Sequence, residues 1–196
     1  MEQTRSAEIE QAILAAAEQL LISGGPEALS VRRIAAAAHV APMSVYNHFG
    51  SKNGVIDALF VASLERLRHA LRSIDKIADP VEALLEGLYR YRRLALEHRA
   101  AYQIMFRWWA IPTFEPSPSA SSAAKDAFSI LVAAVERAMA ESAIAKTDPT
   151  AVAQQLWAAT HGWVSIETGG LTFVKDHDAG LEALLAVIIK GLQADL

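Results

Sequence analysis

The sequence contains no cysteine. It therefore holds no disulfide framework and no thiolate metal site, in keeping with a reducing cytoplasm. Although 53% of the residues are hydrophobic, no apolar run approaches the ~18–20 residues that a membrane helix needs. No segment alternates apolar and polar residues in the way a half-buried strand does. The N-terminal MEQTRSAEIEQ lacks the basic-then-apolar layout of a signal peptide. These absences lead us to expect a soluble, cytoplasmic chain with no membrane partner. Its 196 residues suffice for one sizeable core, or for a small domain joined to a larger one.

Another absence is local. The formal net charge is −4, from 22 acids against 18 bases, and taken alone that argues against a nucleic-acid partner. Yet no carboxylate occurs between Glu27 and Asp57, whereas Arg32, Arg33 and Lys52 do, with His39 and His48 beside them. An acidic protein thus carries a modest basic face.

What is present has helical period. Ile9, Ile13, Ala16, Ala17, Leu20 and Leu21 form one apolar stripe, closed by Gly24-Gly25-Pro26. Ser30 reads as the N-cap of a short helix with Val31, Ile34, Ala35 and Ala38 on its inner side. His39-Val40-Ala41 is a turn, and Pro42 suits the first position of the next helix, where its missing N–H costs nothing. Ser51 reads as a cap for a helix carrying Val55, Ile56, Leu59, Phe60, Leu64 and Leu67. Asp79-Pro80 and Asp148-Pro149 each start a long helix, and others are expected at about 102–109, 123–144 and 179–195. PTFEPSPSASSA (112–123) reads as a loop. The expectation is an all-α chain of roughly nine helices.

Two short helices joined by a three-residue turn make a helix-turn-helix, whose second helix enters the major groove. Here that helix carries Tyr46, Asn47 and His48 in succession, so at most part of the arc can be buried. Lys52 adds a cation to a helix N-terminus that already favours phosphate through its free N–H groups. The stretch LSVRRIAAAAHVAPMSVYNHFGSKNGVIDALF (29–60) resembles the DNA-binding signature of the TetR family of transcriptional regulators. The resemblance rests on Ile34-Ala35, a turn, Ser44-Val45-Tyr46, His48-Phe49, Ser51-Lys52 and the apolar helix that follows. It implies a DNA-binding domain over 1–54, with its helix-turn-helix at about 30–49. Tyr46, His48 and Lys52 would grip phosphates, together with the start of the second helix at Ser30, Arg32 and Arg33. Pro42, Met43, Ser44 and Asn47 would lie nearest the bases. The chain departs from the family pattern at His39, where glycine is usual, at Ala41, where a Ser or Thr cap is usual, and at Asn53-Gly54, where stronger helix formers are usual. These departures predict a less rigid reading head.

The resemblance assigns 55–196 to effector binding and dimerisation. QLWAATHGWVSIETGG (155–170) is similar to a Trp-His-Gly class of C-terminal domains in the same family. The implied effector is a small hydrophobic or aromatic molecule, held among Tyr91, Arg92, Tyr102, Met105, Phe106, Trp109, Phe128, Trp157 and His161. Arg92 has two readings, a pair with Glu167 or a contact to an acidic effector. The implied homodimer interface comprises Leu156, Trp163, Leu181, Leu184, Leu185, Ile188 and Leu192. His161 and Asp176-His177-Asp178 contain metal-ligating chemistry, but the second cluster reads better as a loop and helix cap. No metal, cofactor or catalytic residue is expected.

Three functions fit these readings. The first is a homodimeric repressor released from a palindromic DNA operator by its effector. The second is a regulator of the same fold that answers to a protein partner or acts as an activator. The third is an α-helical enzyme using His161 and Glu167, although no nucleophile, oxyanion-hole motif or metal set accompanies that pair.

Overall fold

Proline and aspartate punctuate the chain, and each junction has a local cause. Asp79 Oδ1 accepts from the amides of Val81 and Glu82, both at 2.8 Å, and Asp148 Oδ1 accepts from Thr150 at 3.0 Å. Each aspartate satisfies amides that the first turn leaves open, while the following proline supplies a helical φ.

A computed structural model describes residues 2–107 and 115–193. Among the described residues there are nine α-helices and no strand: α1 (Glu2–Gly24), α2 (Val31–Ala37), α3 (Pro42–Phe49), α4 (Lys52–Ala70), α5 (Pro80–Glu97), α6 (Arg99–Arg107), α7 (Pro118–Ala140), α8 (Pro149–Thr168) and α9 (His177–Gln193). Two short 3-10 turns, Pro26–Ala28 and Ile74–Lys76, join them. The all-α expectation holds. No described helix is long and apolar enough to cross a membrane.

The expected loop at 112–123 needs correction from Pro118 onward. Residues 112–114 lie outside the described residues, but 118–123 open α7. Ser117 Oγ accepts from the Ala120 amide at 3.1 Å. Serine followed by proline is a helix-start signal as well as a loop composition.

The chain forms two compact units. One comprises Met1–Glu65 and Ala100–Ala124. Its core takes Ile13, Ala16 and Ala17 from α1, Ile34 and Ala35 from α2, Val45 from α3, and Val55, Ile56, Leu59 and Phe60 from α4. Short helices such as α2 and α3 are marginal alone and take their stability from such packing. Within the same unit Asp57 on α4 accepts from the Ser117 amide at 2.8 Å and the Ser117 hydroxyl at 2.7 Å.

The other unit comprises Arg66–Arg99 and Lys125–Leu196. Leu84 and Leu88 of α5, Val135, Ala138 and Met139 of α7, Val152, Ala153 and Leu156 of α8, and Leu181, Leu185 and Ile189 of α9 share one buried cluster. Arg137 donates to the carbonyls of Asp75, Ile77 and Ala78 at 3.1, 2.7 and 2.6 Å, which fixes the connection entering α5. Gly180 lets α9 lie against α8, since a β-carbon there would sit 2.3 Å from the Trp163 ring.

Candidate nucleic-acid interface

α2 starts where Ser30, in extended conformation, accepts from the Arg33 amide at 3.2 Å. It ends at Ala37, and in the turn that follows His39 adopts φ of +55°. The turn therefore places a histidine in the left-handed region, where the family resemblance has a glycine, at a cost of about 1 kcal/mol relative to glycine. Ala41 gives α3 no side-chain cap, and Pro42 opens the helix.

α3 has two faces. Val45 is buried, and Ser44, His48 and Phe49 are half-buried. Pro42, Met43, Tyr46 and Asn47 are exposed, Met43 at 64% and Tyr46 at 49%. Met43, Tyr46 and Asn47 follow i, i+3, i+4 spacing and so share one side of the helix. Arg32 and Arg33 are exposed in the first turn of α2, and Lys52 is half-buried at the start of α4. All ten residues expected at DNA lie in one compact unit: Ser30 as the N-cap of α2, the others on α2, α3 and the first turn of α4.

The exit from α3 corrects the reading of Gly54 as a weakness. Gly50 turns the chain at φ of +70°. Ser51 Oγ then accepts from the Gly54 amide at 3.1 Å and caps α4. A β-carbon on Gly54 would lie 1.9 Å from the Phe49 carbonyl oxygen. Glycine is what lets the end of α3 meet the start of α4 so closely.

The residues expected at the effector divide between the units. In the second, the Tyr91 hydroxyl and His161 Nδ1 lie 2.9 Å apart. The rings of Trp157 and His161 are 5.6 Å apart, and Phe128 meets Trp157 edge-on at 6.1 Å. Burial holds the His161 pKa below its ordinary value. Arg92 donates to both Glu167 oxygens at 2.7 Å. That fork holds the Glu167 carboxyl below the usual carboxylate range, with His177 Nδ1 at 3.2 Å as a further contact. Of the two readings of Arg92, the geometry contains the pair. Asp176 caps α9 by accepting from the Ala179 amide at 3.0 Å. Tyr102, Met105 and Phe106 lie on α6 in the first unit, the rings of Tyr102 and Phe106 5.0 Å apart. Trp109 lies outside the described residues.

Three interface expectations require correction. Leu156, Leu181 and Leu185 are 0% exposed in the single chain, so they have no area left for a second copy. Trp163, Leu184, Ile188 and Leu192 are half-buried against the same core. The outward side of α8 instead carries Ala151, Gln155, Ala158, Ser165 and Ile166, and that of α9 carries Ala183, Ala186 and Val187.

A helix-turn-helix whose second helix turns Met43, Tyr46 and Asn47 to solvent, in an otherwise helical chain, is the arrangement of a DNA-binding regulator. The family model of the bacterial regulatory proteins of the tetR family matches residues 13–59, and that of the tetracyclin repressor-like C-terminal domain matches residues 84–188. The chain belongs to the TetR family of transcriptional regulators. Among curated proteins it is similar to the HTH-type transcriptional repressor KstR2 of Mycobacterium tuberculosis, at 35% identity over 96 residues, 48% of each chain. The match thus spans about half the length of that relative. Among solved structures it resembles a protein of unknown function from Rhodococcus sp. RHA1, with a TM-score of 0.84 and 24% identity over 94% of this chain and 95% of that one. It also resembles AibR in complex with isovaleryl coenzyme A and operator DNA, with a TM-score of 0.69 and 22% identity over 94% and 97% of the two chains. At these identities the structural likeness is one of fold.

Proposed function

We propose that this chain is a cytoplasmic, homodimeric repressor that binds a palindromic operator and is released by a small hydrophobic or aromatic effector. The observation that carries the proposal is the outward face of α3. Met43, Tyr46 and Asn47 stand together in solvent, with Arg32, Arg33 and Lys52 on the neighbouring helix starts. The cations and Tyr46 would seat such a unit on phosphates, while Met43 and Asn47 would lie against the bases.

Two copies related by a two-fold axis would set two reading heads about 34 Å apart. The small-residue side of α8 and α9 offers the surface for that pairing. Effector and operator would then oppose each other through one coupling free energy, each weakening the other by the same factor. Phe128, Trp157 and the Tyr91–His161 pair form an aromatic cluster with a polar end, the composition that small-molecule sites favour. The enzyme reading has little support, because His161 and Glu167 answer to different partners, Tyr91 and Arg92 respectively.

The test is footprinting with the purified protein. A protected palindrome is expected. Tyr46→Ala should abolish protection while leaving thermal unfolding unchanged, since Tyr46 is half solvent-exposed. Normal binding by Tyr46→Ala would mean that α3 is not the reading helix.

A further inference from the structure

The outward face of α3 carries no charged side chain. Its exposed residues are Pro42, Met43, Tyr46 and Asn47, and Met43, at 64% exposure, projects from the first turn, the part of a reading helix that meets base edges. Arg32, Arg33 and Lys52 stand on the first turns of α2 and α4 instead. This separates the chemistry of the face from that of its rim.

Guanine offers two acceptors in the major groove and is read by forked or cationic donors, whereas cytosine offers an amine and is read by carboxylates. The exposed face of α3 has neither kind of group. Adenine pairs with a side-chain amide through N6 and N7, and thymine presents a methyl group as the apolar surface of the groove. An exposed thioether gains nothing from hydrogen-bonding edges, but it can bury itself against that methyl, and its unbranched chain adapts to the exact placement. Pro42, just before it, removes one amide donor from the same turn and adds further apolar surface.

Resting on the proposed DNA-binding function, we infer that the chain reads an A·T-type half-site through Met43 packed on a thymine 5-methyl group, with Asn47 on an adenine beside it. The basic residues hold the sugar-phosphate backbone and contribute affinity without choosing the sequence. Sequence choice then depends on apolar contact, so it persists when added salt weakens the phosphate contacts.

The experiment uses the full chain and synthetic duplexes. A binding site is first selected from random DNA, and each thymine in it is then replaced by deoxyuridine, which removes the methyl and keeps the base pair. Replacing one thymine in each half-site should weaken binding about fourfold per half-site, the burial of one methyl-sized group, and should do so at every salt concentration tested. Met43→Ala, altered at an exposed position and so able to fold, should bind the thymine and deoxyuridine duplexes equally. Deoxyuridine duplexes that bind as well as the parent, or Met43→Ala that keeps the parent's preference for thymine, would overturn the inference while leaving DNA binding intact. Failure to select any duplex would overturn the DNA-binding proposal itself, and this inference with it.

Discussion

There is no room for a side chain at Gly54, because a β-carbon there would lie 1.9 Å from the carbonyl oxygen of Phe49. That oxygen is backbone and cannot rotate aside. Gly54→Ala is therefore expected to force the end of α3 away from α4, at a cost of about 1–3 kcal/mol in urea unfolding, and to weaken DNA binding as well. Gly191 is the control, because a β-carbon there would meet nothing within 4 Å. Gly191→Ala should be neutral, or stabilising by up to about 1 kcal/mol. Equal stability of the two variants would show that the α3–α4 junction yields easily.

Arg92 and Glu167 form a forked pair whose side chains are only 14% and 7% exposed. Arg92→Leu leaves a buried carboxylate without its main partner and should cost about 3–5 kcal/mol, whereas Arg92→Leu with Glu167→Leu should recover most of that. The pH dependence has a definite sign. The hydrogen bonds from Arg92 hold the folded pKa of Glu167 below its ordinary 4.5, so the pair's contribution is full above that value and is lost as pH falls through the folded pKa. Acid unfolding of Glu167→Gln should lack this component.

His161 is shifted in the same direction as Glu167, but by burial instead of a charged partner. Burial lowers its pKa from 6.5, so the unfolded chain takes up the proton first as pH falls. Stability should decline from about pH 6.5 downward until the folded pKa is passed. Urea midpoints at pH 7.5 and 5.5 measure this. His161→Asn, which keeps an amide near the Tyr91 hydroxyl, should flatten the difference. An unchanged pH dependence in the variant would assign the titration elsewhere.

If α8 and α9 meet a second copy through their outward faces, Ala158→Arg or Ala183→Arg should give monomers in sedimentation equilibrium, with helical content kept, because both positions are exposed in the single chain. DNA affinity should fall with dimerisation. A dimeric Ala158→Arg and a dimeric Ala183→Arg would place the interface elsewhere.

The helices were legible because their stripes and caps are local. Ile34, Val45 and Leu59 are buried as their spacing requires, and Ser30, Ser51, Asp79 and Asp148 cap as their positions suggest. The left-handed His39 was legible only through the family resemblance, which has a glycine at that place in the turn. The contribution of Gly54 was not, since it depends on a carbonyl oxygen that only the folded chain brings near. Nor was the burial of Leu156, Leu181 and Leu185: one helix's periodicity shows an apolar side but not which neighbour covers it. The candidate DNA face was read from a run of side chains on one short helix, whereas the aromatic cluster around His161 joins residues 70 positions apart.

Asp57 and Ser117 are 60 residues apart in sequence, and this has a consequence for how the chain is made. A ribosome releases α2, α3 and the start of α4 well before Ser117 exists, so for that interval the Asp57 carboxylate waits without the two donors it will later accept. The helix leading out of the reading head thus gains this anchor late in synthesis. A fragment cut after α4 would keep the reading head but never acquire that anchor.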